Sequence, residues 1–101
     1  MGEKKLIIVG GDSGVYVGWA LGGVHAVNDH GRVILTNARH LRRYYVSGRS
    51  GDGSISDLAA RGLDPDSPSV SDVVPGETVL LGVRRAVTVG DDVASSFGVP
   101  A

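Results

Sequence analysis

Apolar positions along this chain come in short bursts, solid or alternating, with the spacing of strands rather than of long helices. Residues 5–9 form a solid run closed by Gly10-Gly11, which reads as a buried strand and a break. Residues 15–21 alternate, with Val15, Val17 and Trp19 on one side and Tyr16 on the other. Gly22-Gly23 allows a turn into residues 24–27, and Asn28-Asp29-His30-Gly31 then signals a β-hairpin into residues 32–36. Residues 41–46 continue as a strand or extended segment, and residues 47–53 as a loop rich in Gly, Ser and Asp.

One helix is signposted. Ser54 with Asp57 three residues on resembles a capping box, Leu58 and Ala59 favour the helix, and Gly62 stops it. So short a helix needs packing to persist. Asp64-Pro65-Asp66-Ser67-Pro68 reads as a rigid surface loop. Residues 78–81 and 83–89 read as two further strands parted near Gly82, and Asp91 and Asp92 open a short last helix through Ser96. The pattern predicts a mainly β (α+β) fold: a small antiparallel β-sheet or partly closed barrel with one or two short helices. No repeat or linker divides the chain, so residues 1–101 are read as a single domain.

Composition narrows the function. Sixteen glycines and four prolines agree with many tight turns. A net charge of -1 argues against a partner as long and polyanionic as DNA or RNA. The absence of cysteine removes disulfides, thiolate nucleophiles and thiolate metal sites. No apolar run approaches the roughly 20 residues of a membrane span, and the first is shorter than the ~7 of a signal-peptide core. The expectation is a cytoplasmic protein with no membrane partner.

Charge is unevenly placed. Residues 30–51 carry five arginines (Arg32, Arg39, Arg42, Arg43, Arg49) and no acid, whereas residues 52–77 carry six acids against Arg61 alone. Within the basic stretch, Arg39, His40, Arg42 and Arg43 lie beside Tyr44 and Tyr45. Arginine forks grip phosphate oxygens in pairs, and tyrosine faces stack on bases. The same run also suits a plain solvated face, with one tyrosine ring packed inward and one outside, or arginines paired to the acids that follow. On the residues alone the two readings weigh equally.

Other motifs are weaker. Ile7-Ile8-Val9-Gly10-Gly11 and Gly11-Asp12-Ser13-Gly14 echo fragments of serine proteases, but no histidine precedes Ser13. A tight turn is the better reading, with turn amides near Ser13 able to help hold an anion. His25, His30 and His40 lack a compact ligand spacing, so neither a metal nor a cofactor is expected. His40 beside arginines could act as an acid in phosphoester chemistry, which keeps a small phosphodiesterase-like enzyme as an alternative.

Four blocks in order carry a resemblance: Ser13-Gly14-Val15-Tyr16-Val17-Gly18, residues 33–41 with Asn37-Ala38-Arg39-His40-Leu41, Ser54-Ile55-Ser56-Asp57-Leu58-Ala59-Ala60-Arg61-Gly62, and residues 94–100. Through them the chain resembles a family of short phage-encoded proteins filed as a domain of unknown function. It is thereby similar to the phage sponges that sequester cyclic dinucleotide signals of CBASS defence (anti-CBASS immune evasion). Where that family has a basic residue after the arginine and a Trp-Tyr-Trp-like run after the leucine, this chain has His40 and Arg42-Arg43-Tyr44. The resemblance implies a non-catalytic homo-oligomer, with a tetramer favoured, acting in the host cytoplasm on a cyclic dinucleotide or related small nucleotide. Arg39, Arg42 and Arg43 are then expected at phosphates, with His40 beside them. Tyr16, Tyr44 and Tyr45 are expected at bases, and Ser13, Asn37 and Ser54 at base edges or ribose. The alternative outside this class is a virion structural or adaptor protein whose basic strip faces an acidic partner.

Overall fold

The computed structural model describes residues 3–47 and 54–100. Their strands are β1 (Lys4–Gly11), β2 (Gly14–Leu21), β3 (Val33–Arg43), β4 (Ser69–Val70), β5 (Val74–Leu80) and β6 (Val83–Thr88). The helix α1 (Ile55–Arg61) lies between β3 and β4, and 3-10 turns occupy Gly23–Ala26 and Ala94–Phe97. Every ladder is antiparallel, in the order β6-β1-β2-β3. The outer edge of β3 is shared, with β5 along its first half and β4 along its second. The fold is mainly β, as the pattern predicts.

The core is split by the sheet into two layers. In β1 the solid run Leu6-Ile7-Ile8-Val9 is buried throughout, as a strand covered on both faces must be. Leu6 and Ile8 point to one layer, where Val17, Leu41, Leu58, Leu63, Val89 and Phe97 join them. Ile7 and Val9 point to the other, with Ala20, Val33, Leu35, Ala38 and Leu80. Leu58 and Phe97 have no exposed surface, and burying each contributes roughly 2–3 kcal/mol. The short helix α1 persists because it supplies Ile55, Leu58 and Ala59 to this packing.

β5 and β6 lie at opposite edges, although only Leu81 and Gly82 join them. The Val83 amide donates to the Gly31 carbonyl at 2.9 Å, which ties the start of β6 to the turn before β3, beside the short β5–β6 connection. The sheet therefore curls toward a barrel and stays open.

Three local readings are corrected. The hairpin expected over residues 24–36 does not form, because Gly22 (φ 87°) and Gly23 (φ 65°) turn the chain into a 3-10 turn. Only its reversal survives, closed by Asn28 Oδ1 accepting from the His30 and Arg32 amides at 2.9 Å each. The strands expected at 32–36 and 41–46 are one strand, β3, carried across an irregularity at Asn37 (φ 55°). Residues 91–96 give a turn and then the 3-10 segment Ala94–Phe97 in place of a short α-helix. Most of the loop expected at 47–53 lies outside the described residues.

Candidate functional site

The basic-aromatic window falls on the second half of β3 and the segment after it, and its side chains divide into two groups. Asn37 and Arg39 are turned onto the protein. Arg39 Nε donates to the Ser71 carbonyl at 2.8 Å, and its Nη1 donates to the Phe97 carbonyl at 2.7 Å. Asn37 Nδ2 donates to the Pro100 carbonyl at 2.9 Å, while its Oδ1 accepts from the Gly76 amide at 3.3 Å. Trp19 Nε1 adds a bond to the Val99 carbonyl at 3.3 Å. Together they strap the segment from Phe97 to Pro100 across β2 and β3.

His40, Arg42 and Arg43 are the second group. His40 stands opposite Tyr16 on β2, and the two rings stack with centroids 4.3 Å apart and planes 8° apart. The stack depends on Gly14, where a Cβ would come within 2.8 Å of His40 Nε2. The His40 amide donates to Ser71 Oγ at 2.8 Å, which pins the backbone beneath the ring. Burial first, and the Arg42 guanidinium second, hold the His40 pKa below its ordinary 6.5. A register shift between Leu41 and Arg43 marks this end of the strand, and Arg42 and Arg43 are exposed. Among the described residues neither forms an ion pair, and the pairing of arginines with the following acids is not seen. An ion pair from Arg84 Nε to Asp12 Oδ1, at 3.0 Å, joins the β1–β2 turn to β6 instead.

The tyrosines separate as a solvated face would have them. Tyr44 packs against the α1 layer of the core, and Tyr45 is 37% exposed. The Tyr45 amide donates to Ser67 Oγ at 3.0 Å, and its carbonyl accepts from the Asp64 amide at 2.9 Å. Ser13 is an exposed residue of the two-residue turn between β1 and β2. Ser54 caps α1, its Oγ accepting from the Asp57 amide at 3.3 Å. Of the ten predicted site residues, Tyr16, His40 and Arg42 are thus brought together, whereas Asn37, Arg39 and Ser54 are engaged in holding the fold.

Three clefts of the surface leave out Tyr16, His40 and Arg42. One of about 400 Å³ is lined by Arg39, Leu63, Asp64 and Ser96. Another of about 430 Å³, lined by Lys4, Leu21, Arg32, Ile34 and Glu77, holds no predicted residue. The sequence does carry a sign of it, since Leu21 and Ile34 are apolar at the outward-facing positions of their strands. Among the described residues no three His, Asp or Glu side chains gather as metal ligands, and no helix is long and apolar enough to cross a membrane. No protein-family model, curated protein or solved structure matches the chain.

Proposed function

We propose that this protein is a non-catalytic binding module for a small phosphate- and base-bearing ligand of the cyclic dinucleotide class, acting as a sponge for such a signal in a bacterial cytoplasm. The observation that supports the reading is the Tyr16–His40 stack within the electrostatic reach of Arg42, with Arg43 next along the strand, both guanidiniums exposed and without an ion pair among the described residues. Cations without partners are free to grip phosphate in the bidentate manner of arginine. The outer face of the ring pair offers a platform on which a base stacks for about 1–3 kcal/mol. A neutral His40 adds a ring without repelling Arg42, and can take up a proton when phosphate arrives. Sequestration asks for no nucleophile or general base.

Titration calorimetry against a panel of cyclic di- and trinucleotides tests the reading. Arg42→Ala with Arg43→Ala should weaken binding at least about tenfold, the loss of roughly one charged hydrogen bond, and leave the melting temperature unchanged. Ligand released by heating should be chemically intact. Cleaved nucleotide would replace the sponge with an enzyme using His40, and a panel without any binder would end the nucleotide reading.

A further inference from the structure

The sheet face that carries α1 at one end is left uncovered by the described residues at the other. Leu6, Ile8, Val17 and Leu41 on that face lie beneath α1 and Phe97. The cover ends at the row Leu6, Trp19 and Thr36, where Trp19 and Asn37 hold the strapped segment. The next row on the same face begins with Lys4 opposite Leu21 and ends with Ile34 opposite Val79. Leu21 lies two residues beyond Trp19 and Ile34 two before Thr36, so strand alternation points all four the same way. Leu21 is 61% exposed, Val79 50% and Ile34 37%.

A single exposed leucine needs no explanation, but three apolar side chains on adjacent strands make a stripe. Its two ends carry opposite charge. Lys4 closes it on the β1 side, and Glu77, opposite Thr36, flanks it on the β5 side. Neither makes an ion pair among the described residues. Lys4, Leu21, Ile34 and Glu77 also line one groove of about 430 Å³, with Arg32 at its far end beyond Ile34, so the Leu21–Ile34 part of the stripe is concave as well as apolar.

We propose that this stripe is the interface of a two-fold homodimer, in which a second copy of the chain packs the same stripe face to face. A two-fold axis between the sheets, parallel to the strands and passing between β2 and β3, exchanges the β1 side with the β5 side. Lys4 of one copy then stands over the partner's Val79, one row along the strand from the partner's Glu77 and within reach of its long side chain, and the same contact forms twice. A cation at one end and an acid at the other is the arrangement such an axis rewards. Like charges at both ends would repel under the same operation. Leu21, the most prominent residue of the stripe, enters the partner's groove. A stable interface takes about 800 Å² per partner, roughly one seventh of the 5706 Å² surface. A four-strand stripe with its charged rim lies at or below that size, so dissociation in the micromolar range is expected. The inference does not rest on the ligand reading, because Ile34 and His40 are roughly 20 Å apart along β3.

Sedimentation velocity from about 5 to 500 µM, the window bracketing a micromolar constant, tests it. The expected result is a monomer that becomes a dimer within this range. Ile34→Asp and, separately, Leu21→Lys should abolish the dimer while circular dichroism and nucleotide titrations stay as in the parent protein. Lys4→Glu or Glu77→Lys alone should weaken it at least about tenfold at low salt, and the two together should restore it. A monomer at every concentration overturns the proposal. So does a dimer that survives both apolar substitutions, and a double reversal that fails to recover association overturns the two-fold register.

Discussion

Asn37 and Arg39 sit a few residues before Arg42 and Arg43 on the same strand, yet the two pairs have opposite employment. Asn37 and Arg39 give their donors to the carbonyls of Ser71, Phe97 and Pro100. Arg42 and Arg43 are exposed at the end of β3 and form no ion pair with a carboxylate among the described residues. The difference teaches that a run of basic residues is not one functional object. Strand alternation and a local irregularity decide which cations the fold consumes and which it leaves available for a ligand.

Stability measurements separate the two pairs most sharply at Arg39. Arg39→Ala leaves two buried-side carbonyls without a donor and unties the segment after Phe97, so urea unfolding should show a loss of about 3 kcal/mol. Arg39→Lys should recover only part of it, since an ammonium on a flexible stem does not span both carbonyls as a planar fork does. A loss below about 1 kcal/mol would mean that water satisfies the carbonyls and that Arg39 belongs with Arg42 after all.

A smaller effect is expected at Asn37, where a side-chain role and a backbone role coincide. Asn37→Ala forfeits the bonds to Pro100 and Gly76 and puts at φ 55° a residue that tolerates the left-handed region less well than asparagine, so about 2 kcal/mol should be lost. Asn37→Gly forfeits the same bonds but removes the Cβ from this left-handed position, and should cost about half as much. Equal losses in both variants would assign the whole effect to the side-chain bonds.

Much of this fold is legible in short stretches of sequence. The solid run of β1, the alternation of β2, the Ser54 cap and the Gly62 stop are local signals, and each corresponds to what is seen. Partners distant in sequence are not legible in this way. Nothing near Arg39 indicates that Phe97, 58 residues on, supplies its acceptor. The expected hairpin after Gly23 fails for a related reason: Val24, Ala26 and Val27 pack onto the second core layer from a 3-10 turn, and that packing outweighs a good turn sequence. In the candidate site, the types of Tyr16, His40 and Arg42 are informative. Their meeting depends on the cross-strand register of β2 and β3, which spacing within one strand does not reveal.

The finest test of the contrast is the pH dependence of stability, where the free end of the window should differ from the anchored one through His40. Its folded pKa lies below 6.5, from burial first and from Arg42 second, so the folded chain takes up this proton less readily than the unfolded chain. The stabilising contribution of the neutral ring is therefore complete above about pH 6.5 and declines as pH falls through the folded pKa. Urea unfolding from pH 8 down to pH 5 should fall less steeply in His40→Phe, which keeps a ring for Tyr16 to stack on and removes the titrating group. Arg42→Ala, by deleting the second cause, should move the His40 Cε1 proton titration upward toward 6.5, whereas Arg43→Ala should leave it in place. An unchanged titration in Arg42→Ala would show that burial alone accounts for the neutral ring, and that Arg42 stands farther from it than its electrostatic influence implies.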